Sequence, residues 1–253
     1  MTRSSLRAME VVSMVVTGHD ADPGEAQGKG NDKGADRDTE AGAERGPADS
    51  RSSVRLRAAL EAGSAPDPRF VDGLVERCAV EPDFFVRDML TWALTRHPVS
   101  LTLPALVREL GSERPQARSQ ALHTLSKIGD PLAWPAITPA LLHDADEEVA
   151  RSAWRAAVVL VPEGEEPALA EALATRLGRG GRETRLSLSR ALVALGEAVL
   201  PALRAAGAAA DPRVRVHALA TQELLRDPDT GFESAIEEAK RVVALGVSGQ
   251  EGP

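Results

Sequence analysis

The residues of this chain best suited to specific chemistry are arginines that recur at a regular spacing. The series is Arg87, Arg118, Ala150, Arg185 and Arg215, in which Ala150 occupies the place of one arginine. The intervals between successive members are 31, 32, 35 and 30 residues. A guanidinium binds a carboxylate through two parallel hydrogen bonds. We therefore expect each arginine to pair with an aspartate near the start of its own or a neighbouring segment, and so to bridge adjacent units.

A second row of side chains lies two, five and nine residues beyond each position of this series. Four successive units each contribute a cation to the row, and the first also contributes a tryptophan, a frequent anchor of protein interfaces. The candidate partner-binding residues are Trp92, Arg96, His123, Lys127, Arg155 and Arg190. Two simpler explanations remain open. The row is also what a solvated helix face would show, and Trp92 could pack between helices.

The sequence predicts no catalytic residue, no metal site and no cofactor. Its five histidines are scattered, its one cysteine is Cys78, and it contains no C-x-x-C or H-x-x-x-H spacing. Cys78 lies in an apolar stretch and is expected to be a small buried side chain. The glycines Gly178, Gly180 and Gly181 lack the Lys and Ser/Thr of a phosphate-binding loop, so they predict a turn.

The charge of the chain opposes binding to nucleic acid or to anionic lipid. The formal net charge is −8, and within 54–246 there are 23 Lys and Arg against 27 Asp and Glu, a balance of −4. Phosphate binding depends on neutralisation by basic side chains. The longest apolar run near the N-terminus, Val11 to Val16, is interrupted by Glu10 on its N-terminal side and is too short to span a membrane. We expect a cytoplasmic protein.

Composition predicts an all-α fold with a tail. Aromatic residues make up only 3% and Tyr is absent, so a core must be built from Ala, Leu and Val, which suits close-packed helices. Residues 1–53 are rich in Gly, Asp and Glu and are expected to be a disordered acidic tail. Residues 54–246 are expected to form the folded domain, and 247–253 a disordered C-terminus.

Within 54–246 the same pair of helices recurs. The second helices begin near Asp83, Glu113, Asp146, Gly181 and Asp211. The first helices are expected at Arg69–Val80, Leu103–Leu110, Trp134–Leu142, Leu169–Leu177 and Val199–Ala206. A period near 32 residues is typical of stacked helical repeats. A partial unit is expected from Val54, and a closing helix at Phe232–Leu245.

The units resemble HEAT repeats, and in particular the short bacterial PBS-lyase HEAT-like type. The best matches to its D-x-x-V-R frame are Asp83, Val86, Arg87, Ala93 and Leu94, and then Asp211, Val214, Arg215, Ala218 and Leu219. The third unit has Ala150 in place of the arginine, and the fourth starts on Gly181. The resemblance implies an α-solenoid of about five to six helical hairpins, whose second helices line a concave surface.

The resemblance implies a binding function only by analogy, since a fold does not specify function. Our leading hypothesis is a non-catalytic protein–protein interaction scaffold. It would bind an acidic peptide or surface through the row of candidate binding residues, which the resemblance places on the concave surface. The alternatives are a nucleic-acid-binding or regulatory repeat protein and, third, a bilin lyase or a chaperone associated with one.

Overall fold

A computed structural model describes residues 47–248, and every regular element in that range is helical. Three short 3-10 segments, Pro68–Phe70, Pro131–Ala136 and Gly196–Val199, join or extend the helices. The α-helices are α1 Pro47–Ser64, α2 Val71–Cys78, α3 Phe84–Thr95, α4 Val99–Glu109, α5 Pro115–Ile128, α6 Pro139–Leu142, α7 Glu147–Leu160, α8 Glu166–Ala174, α9 Arg182–Ala194, α10 Leu200–Gly207, α11 Pro212–Arg226 and α12 Phe232–Ser248.

Helices α2 to α11 form five successive hairpins that stack in chain order. The second helices α3, α5, α7, α9 and α11 each pack on the next, while the first helices lie in a second layer. Helix α1 packs on α3 at one end of the stack, and α12 packs on α11 at the other. The predicted all-α solenoid is confirmed.

The starts of the second helices follow from capping residues. Asp83 accepts hydrogen bonds from the amides of Phe85 (2.9 Å) and Val86 (3.1 Å). Asp146 caps α7 in the same way, and Asp211 caps α11. An N-cap carboxylate satisfies amides that have no partner within the helix. These caps fix where each second helix begins, and so keep the repeats in phase.

Small and branched residues at one repeated position allow the second helices to approach closely. All five members are buried: Leu90, Ala121, Ala153, Leu188 and Ala218. Alanine at three of these places lets neighbouring helix axes come near each other and bury their apolar stripes. The equivalent arginines each occupy the fourth position of their helix, so the predicted repeat register is also confirmed.

Among the described residues, the predicted pairing of a repeated arginine with an aspartate of an adjacent unit forms only for Arg118. Arg118 binds Asp144, which precedes α7, through two hydrogen bonds of 2.9 and 3.0 Å. Arg87 and Arg215 instead donate to main-chain carbonyls five and six residues earlier, at 2.7 to 2.9 Å. The prediction was wrong for these two. Arg118 also donates to a carbonyl of the turn before its helix, that of Ser112 (2.8 Å), but only Arg118 of the three has an aspartate of the next hairpin within reach as well.

Helix α1 is fastened to the first hairpin by a buried carboxylate. Glu81, which is 0% exposed, accepts hydrogen bonds from Arg55 (2.8 and 2.9 Å), from Arg77 (2.7 Å) and from the Asp83 amide (3.0 Å). Burial opposes ionisation, but the hydrogen bonds from Arg55, the Asp83 amide and Arg77 outweigh it and lower the pKa of Glu81 to about 2. The carboxylate is therefore charged at neutral pH.

A buried histidine joins the fourth and fifth hairpins. His217 Nδ1 accepts a hydrogen bond from the Gly178 amide (3.0 Å), so Nε2 carries the proton. Nε2 lies 3.0 Å from Ser189 Oγ and 3.1 Å from the Arg185 carbonyl. Burial lowers the pKa of His217 to about 4, although the hydrogen bond to the Arg185 carbonyl acts in the opposite direction. The neutral ring thus links the α8–α9 turn to α11.

The described elements differ in extent from those expected. Helix α1 begins at Pro47, inside the range predicted to be a tail, and α12 continues to Ser248. The rest of the predicted termini, 1–46 and 249–253, lies outside the described residues. Within 47–248 no single helix has the length and apolar character to cross a membrane. The segments Arg182–Ala194 and Gly196–Gly207 are together long and apolar enough, but the chain bends by 119° between them.

We expect Glu81→Ala to destabilise the protein by about 3 kcal/mol, because it leaves Arg55 and Arg77 partly buried without their anion. Urea unfolding followed by circular dichroism measures this. The control is Asp72→Ala, which removes an exposed pair with Arg108 (3.0 Å) and should cost less than about 1 kcal/mol. Equal losses for the two variants would contradict the assigned role of Glu81.

We expect His217 to make the protein less stable as the pH falls from 6.5 to 4. The unfolded imidazole, with a pKa of 6.5, takes up a proton in this range while the folded one stays neutral, so the unfolded state is favoured by up to about 3 kcal/mol. His217→Gln should weaken this pH dependence of the free energy of unfolding.

The control for this titration is Thr221→Val. Thr221 Oγ1 lies 2.8 Å from Ser189 Oγ in the same buried network, but it does not titrate. This variant should lower stability with the pH dependence retained. If His217→Gln also retains the wild-type dependence, the neutral buried histidine is refuted.

Candidate functional site

A groove runs across the second helices of the first four hairpins. It encloses about 740 Å³, and its walls come from α3, α5, α7 and α9. The groove exists because these helices stack side by side, so equivalent positions on successive helices face the same space. Its middle is formed by α5 and α7, which pack extensively on each other.

Most of the residues that line the groove are polar. Phe84, Pro115 and Leu186 are its only apolar lining residues within the described part of the chain. Neutral hydrogen-bonding side chains are distributed along it: Gln116, Ser119, Gln120, Ser126, Ser152 and Ser187. Such a surface suits a hydrogen-bonding ligand better than an apolar one, since ligand pockets for small apolar molecules are lined mainly by hydrophobic side chains.

Both basic and acidic side chains line the groove. Five basic residues line it, Arg87, Lys127, Arg151, Arg155 and Arg190, and four acidic ones, Asp88, Asp146, Glu148 and Glu183. The groove therefore carries a formal charge of +1, whereas the whole chain carries −8. This local balance makes it more attractive to anions than the chain as a whole.

Glu148 holds two of the cations in place. It pairs with Arg151 and accepts a hydrogen bond from Arg155 Nη2 (3.2 Å), which also donates to Ser152 Oγ (2.9 Å). Lys127 makes no ion pair with any residue that the structure describes. An ammonium without an internal partner is available to a ligand, whereas Arg155 must share its charge with Glu148.

His123 is neutral at physiological pH. Burial, followed by the positive charges of Arg155 and Lys127, lowers its pKa to about 4. In its neutral form the ring offers one hydrogen-bond donor and one acceptor to the groove rather than a charge.

Four of the six predicted binding residues share the groove, and two do not. His123, Lys127, Arg155 and Arg190 line it, but Trp92 and Arg96 lie outside it. The ring of Trp92 covers Gly63 of α1 so closely that a β-carbon there would lie 2.3 Å from Cζ3. At this end of the row Trp92 packs against α1 while 37% of its surface stays exposed, so its role as a binding residue stays a prediction. Arg96 is the exposed C-cap of α3.

Sequence reasoning also missed residues of the groove. Glu148 and Arg151 were not predicted, although their spacing of three residues places them on one helix face, where opposite charges pair. Gln116 was missed too. Its amide donates to the carbonyls of Cys78 (3.0 Å) and Glu81 (2.8 Å), a contact between hairpins that no local pattern reveals.

Within 47–248 no three His, Cys, Asp or Glu side chains are grouped so as to hold a metal ion. Cys78 is buried, as expected, and burial raises its pKa to about 12. A thiol of this kind is a poor nucleophile, because the thiolate is the reactive form.

Comparison with known families agrees with this geometry. Residues 86–158 match the family model described as HEAT repeats. The match begins in α3 and ends in α7, so the matched segment includes His123, Lys127 and Arg155 but not Arg190. The resemblance to the HEAT-repeat family is thus confirmed over this part of the chain, while the PBS-lyase type stays a prediction. No curated protein matches the chain significantly.

We expect Arg155→Gln to raise the pKa of His123, because it removes a positive charge that disfavours the imidazolium. The chemical shifts of the imidazole in an NMR pH titration report this. Arg190→Gln is the matched control, since Arg190 lines the groove but does not contribute to the low pKa. Equal titration midpoints for His123 in the wild type and in Arg155→Gln would contradict the assigned contact.

Proposed function

We propose that this chain is a non-catalytic scaffold that holds an acidic segment of a partner protein in the groove. The observation that carries the proposal is the convergence of Lys127, Arg155 and Arg190 from three consecutive second helices on one polar surface. HEAT repeats commonly mediate protein–protein interaction, which supports the same conclusion.

An extended peptide fits the chemistry of this surface. Its backbone amides and carbonyls need hydrogen-bond partners when they leave water, and the serine and glutamine side chains of the groove supply them. Carboxylates of the peptide would lie near Lys127 and Arg190. They would be repelled next to Glu148, so the mixture of basic and acidic side chains selects for the spacing of acidic residues rather than for negative charge alone.

The other two hypotheses receive less support. A nucleic acid needs a continuous track of cations, whereas acidic residues interrupt this groove and the charge of 54–246 is −4. A bilin lyase that carried the bilin on its own thiol would need an accessible cysteine, and Cys78, the one cysteine, is buried. We further propose that the scaffold acts in the cytoplasm, since the single cysteine gives no internal disulfide to suit an oxidising compartment.

We expect the full chain to bind a short fluorescent peptide rich in Asp and Glu, and Lys127→Glu/Arg190→Glu to weaken this binding at least about tenfold. Charge reversal replaces attraction by repulsion at two points of the groove. Fluorescence anisotropy at low and high salt measures the affinity, which should fall with added salt.

The control variant is Arg204→Glu/Arg226→Glu. It makes the same change in net charge at two exposed arginines that do not line the groove. This control should retain binding, and a peptide with Asn and Gln in place of the acids should bind poorly to every variant. Equal weakening by the two double variants would show that only net charge matters and would refute the groove.

A further inference from the structure

A second cleft lies between the fourth and fifth hairpins. It encloses about 960 Å³ and shares no lining residue with the groove. Its walls come from α8, the turn before α9, α9 itself, α10 and the first turn of α11. Three of these segments each contribute an arginine, namely Arg179, Arg185 and Arg213.

Arg185 lacks the partners that its equivalents in other hairpins have. Arg87, Arg118 and Arg215 all donate from Nη1 to carbonyls of the preceding turn. The Arg185 guanidinium forms no hydrogen bond or ion pair with any residue of the described range, although its Nε is buried. The Nε–H group of Arg185 is buried without a partner, which costs free energy that a hydrogen bond to a bound anion would recover.

The turn before α9 also differs from the corresponding turns of other hairpins. Gly178 and Gly180 both adopt a φ of 76°, a left-handed conformation that turns the chain sharply. A β-carbon on Gly178 would lie 2.9 Å from the Val214 amide nitrogen, so only glycine allows the turn to pack against α11. Gly181, the N-cap of α9, provides no side-chain cap, unlike the aspartates of α3, α7 and α11. The fourth hairpin therefore departs from the repeat at the place where the cleft opens.

We propose that this cleft binds the phosphate group of a phosphomonoester. A guanidinium fork matches phosphate oxygens, and a tetrahedral phosphate can accept hydrogen bonds from several directions, as three arginines on separate segments would supply. A planar carboxylate, with two oxygens, would be satisfied by one arginine. The volume of the cleft exceeds that of a phosphate ion, which leaves room for the group that carries it.

Two acidic residues partly offset the positive charge of the arginines in the cleft. Glu171 and Asp211 also line it, and Asp211 lies 3.6 Å from Arg213 Nε while capping α11. The phosphate is consequently held by directed hydrogen bonds from Arg185 and Arg179, with Arg213 shared between the ligand and Asp211. The site is independent of the groove, so it stands or falls separately from the proposed scaffold function.

The test titrates the full chain with inorganic phosphate, followed by the ³¹P line width, and with a fluorescent peptide containing one phosphoserine, followed by anisotropy. The same peptide with unmodified serine is the reference. Binding of inorganic phosphate and of the phosphopeptide, but not of the serine peptide, is expected. Tighter binding of the phosphopeptide would assign the site to phosphate carried by a protein, and equal affinities would assign it to small phosphates.

The variant Arg185→Gln should weaken binding of both probes by at least about tenfold. Arg204→Gln, outside the cleft on α10, should leave it unchanged. If Arg185→Gln alters the circular dichroism spectrum, Arg179→Gln on the exposed turn takes its place and should weaken binding severalfold. The proposal is overturned if the wild type binds neither phosphate probe at millimolar concentration, or if the folded variant binds as the wild type does.

Discussion

The structure depends on the burial of each hairpin's apolar stripe by the next hairpin. A pair of helices of 4 to 15 residues cannot enclose its own hydrophobic face. In this chain each pair buries that face because the second helices stack in one row. Alanine at 121, 153 and 218 makes the approach close enough to exclude water. The groove is a consequence of this packing, since it exists only where four second helices lie side by side.

Departures from the repeat determine where the surface has special properties. The third hairpin replaces the repeated arginine with Ala150, which is buried, so nothing polar needs a partner there. The fourth keeps Arg185 but has Gly181 in place of a capping aspartate. The guanidinium of Arg185 has no partner among the described residues. The ends differ as well, because α1 is held by the charged cluster around Glu81 and contacts the ring of Trp92. Regular positions thus build the scaffold, and irregular ones distinguish its surfaces.

Much of the fold was predictable because each repeat has the same residue types at the same local spacing. The spacing of Arg87, Arg118, Arg185 and Arg215, together with the aspartate caps, was enough to predict five second helices. The extent of α1 was not, since its attachment depends on an ion pair between Arg55 and Glu81, 26 residues apart. A pattern of apolar residues does not show which distant carboxylate a guanidinium will reach.

The candidate groove was predictable only in part. Helical phase correctly grouped His123, Lys127, Arg155 and Arg190, because equivalent positions of stacked helices face the same side. It did not reveal that Trp92 packs against α1, because the position of a neighbouring helix is a tertiary property. The same holds for the pairing of the repeated arginines with aspartates, since Arg87 and Arg215 found main-chain carbonyls in turns whose conformation the sequence alone did not define.

The most direct test of nearest-neighbour stacking is amide hydrogen exchange in the wild type and in Phe232→Ala. Phe232 belongs to a small separate cluster with Ala220, Ala235, Ile236 and Ala239, which holds α12 on α11. If each helix is stabilised mainly by packing on its nearest neighbours, protection from amide exchange should fall strongly in α12, less in α11, and not at all in α3 and α5. An equal loss of protection in all of these helices would contradict the account.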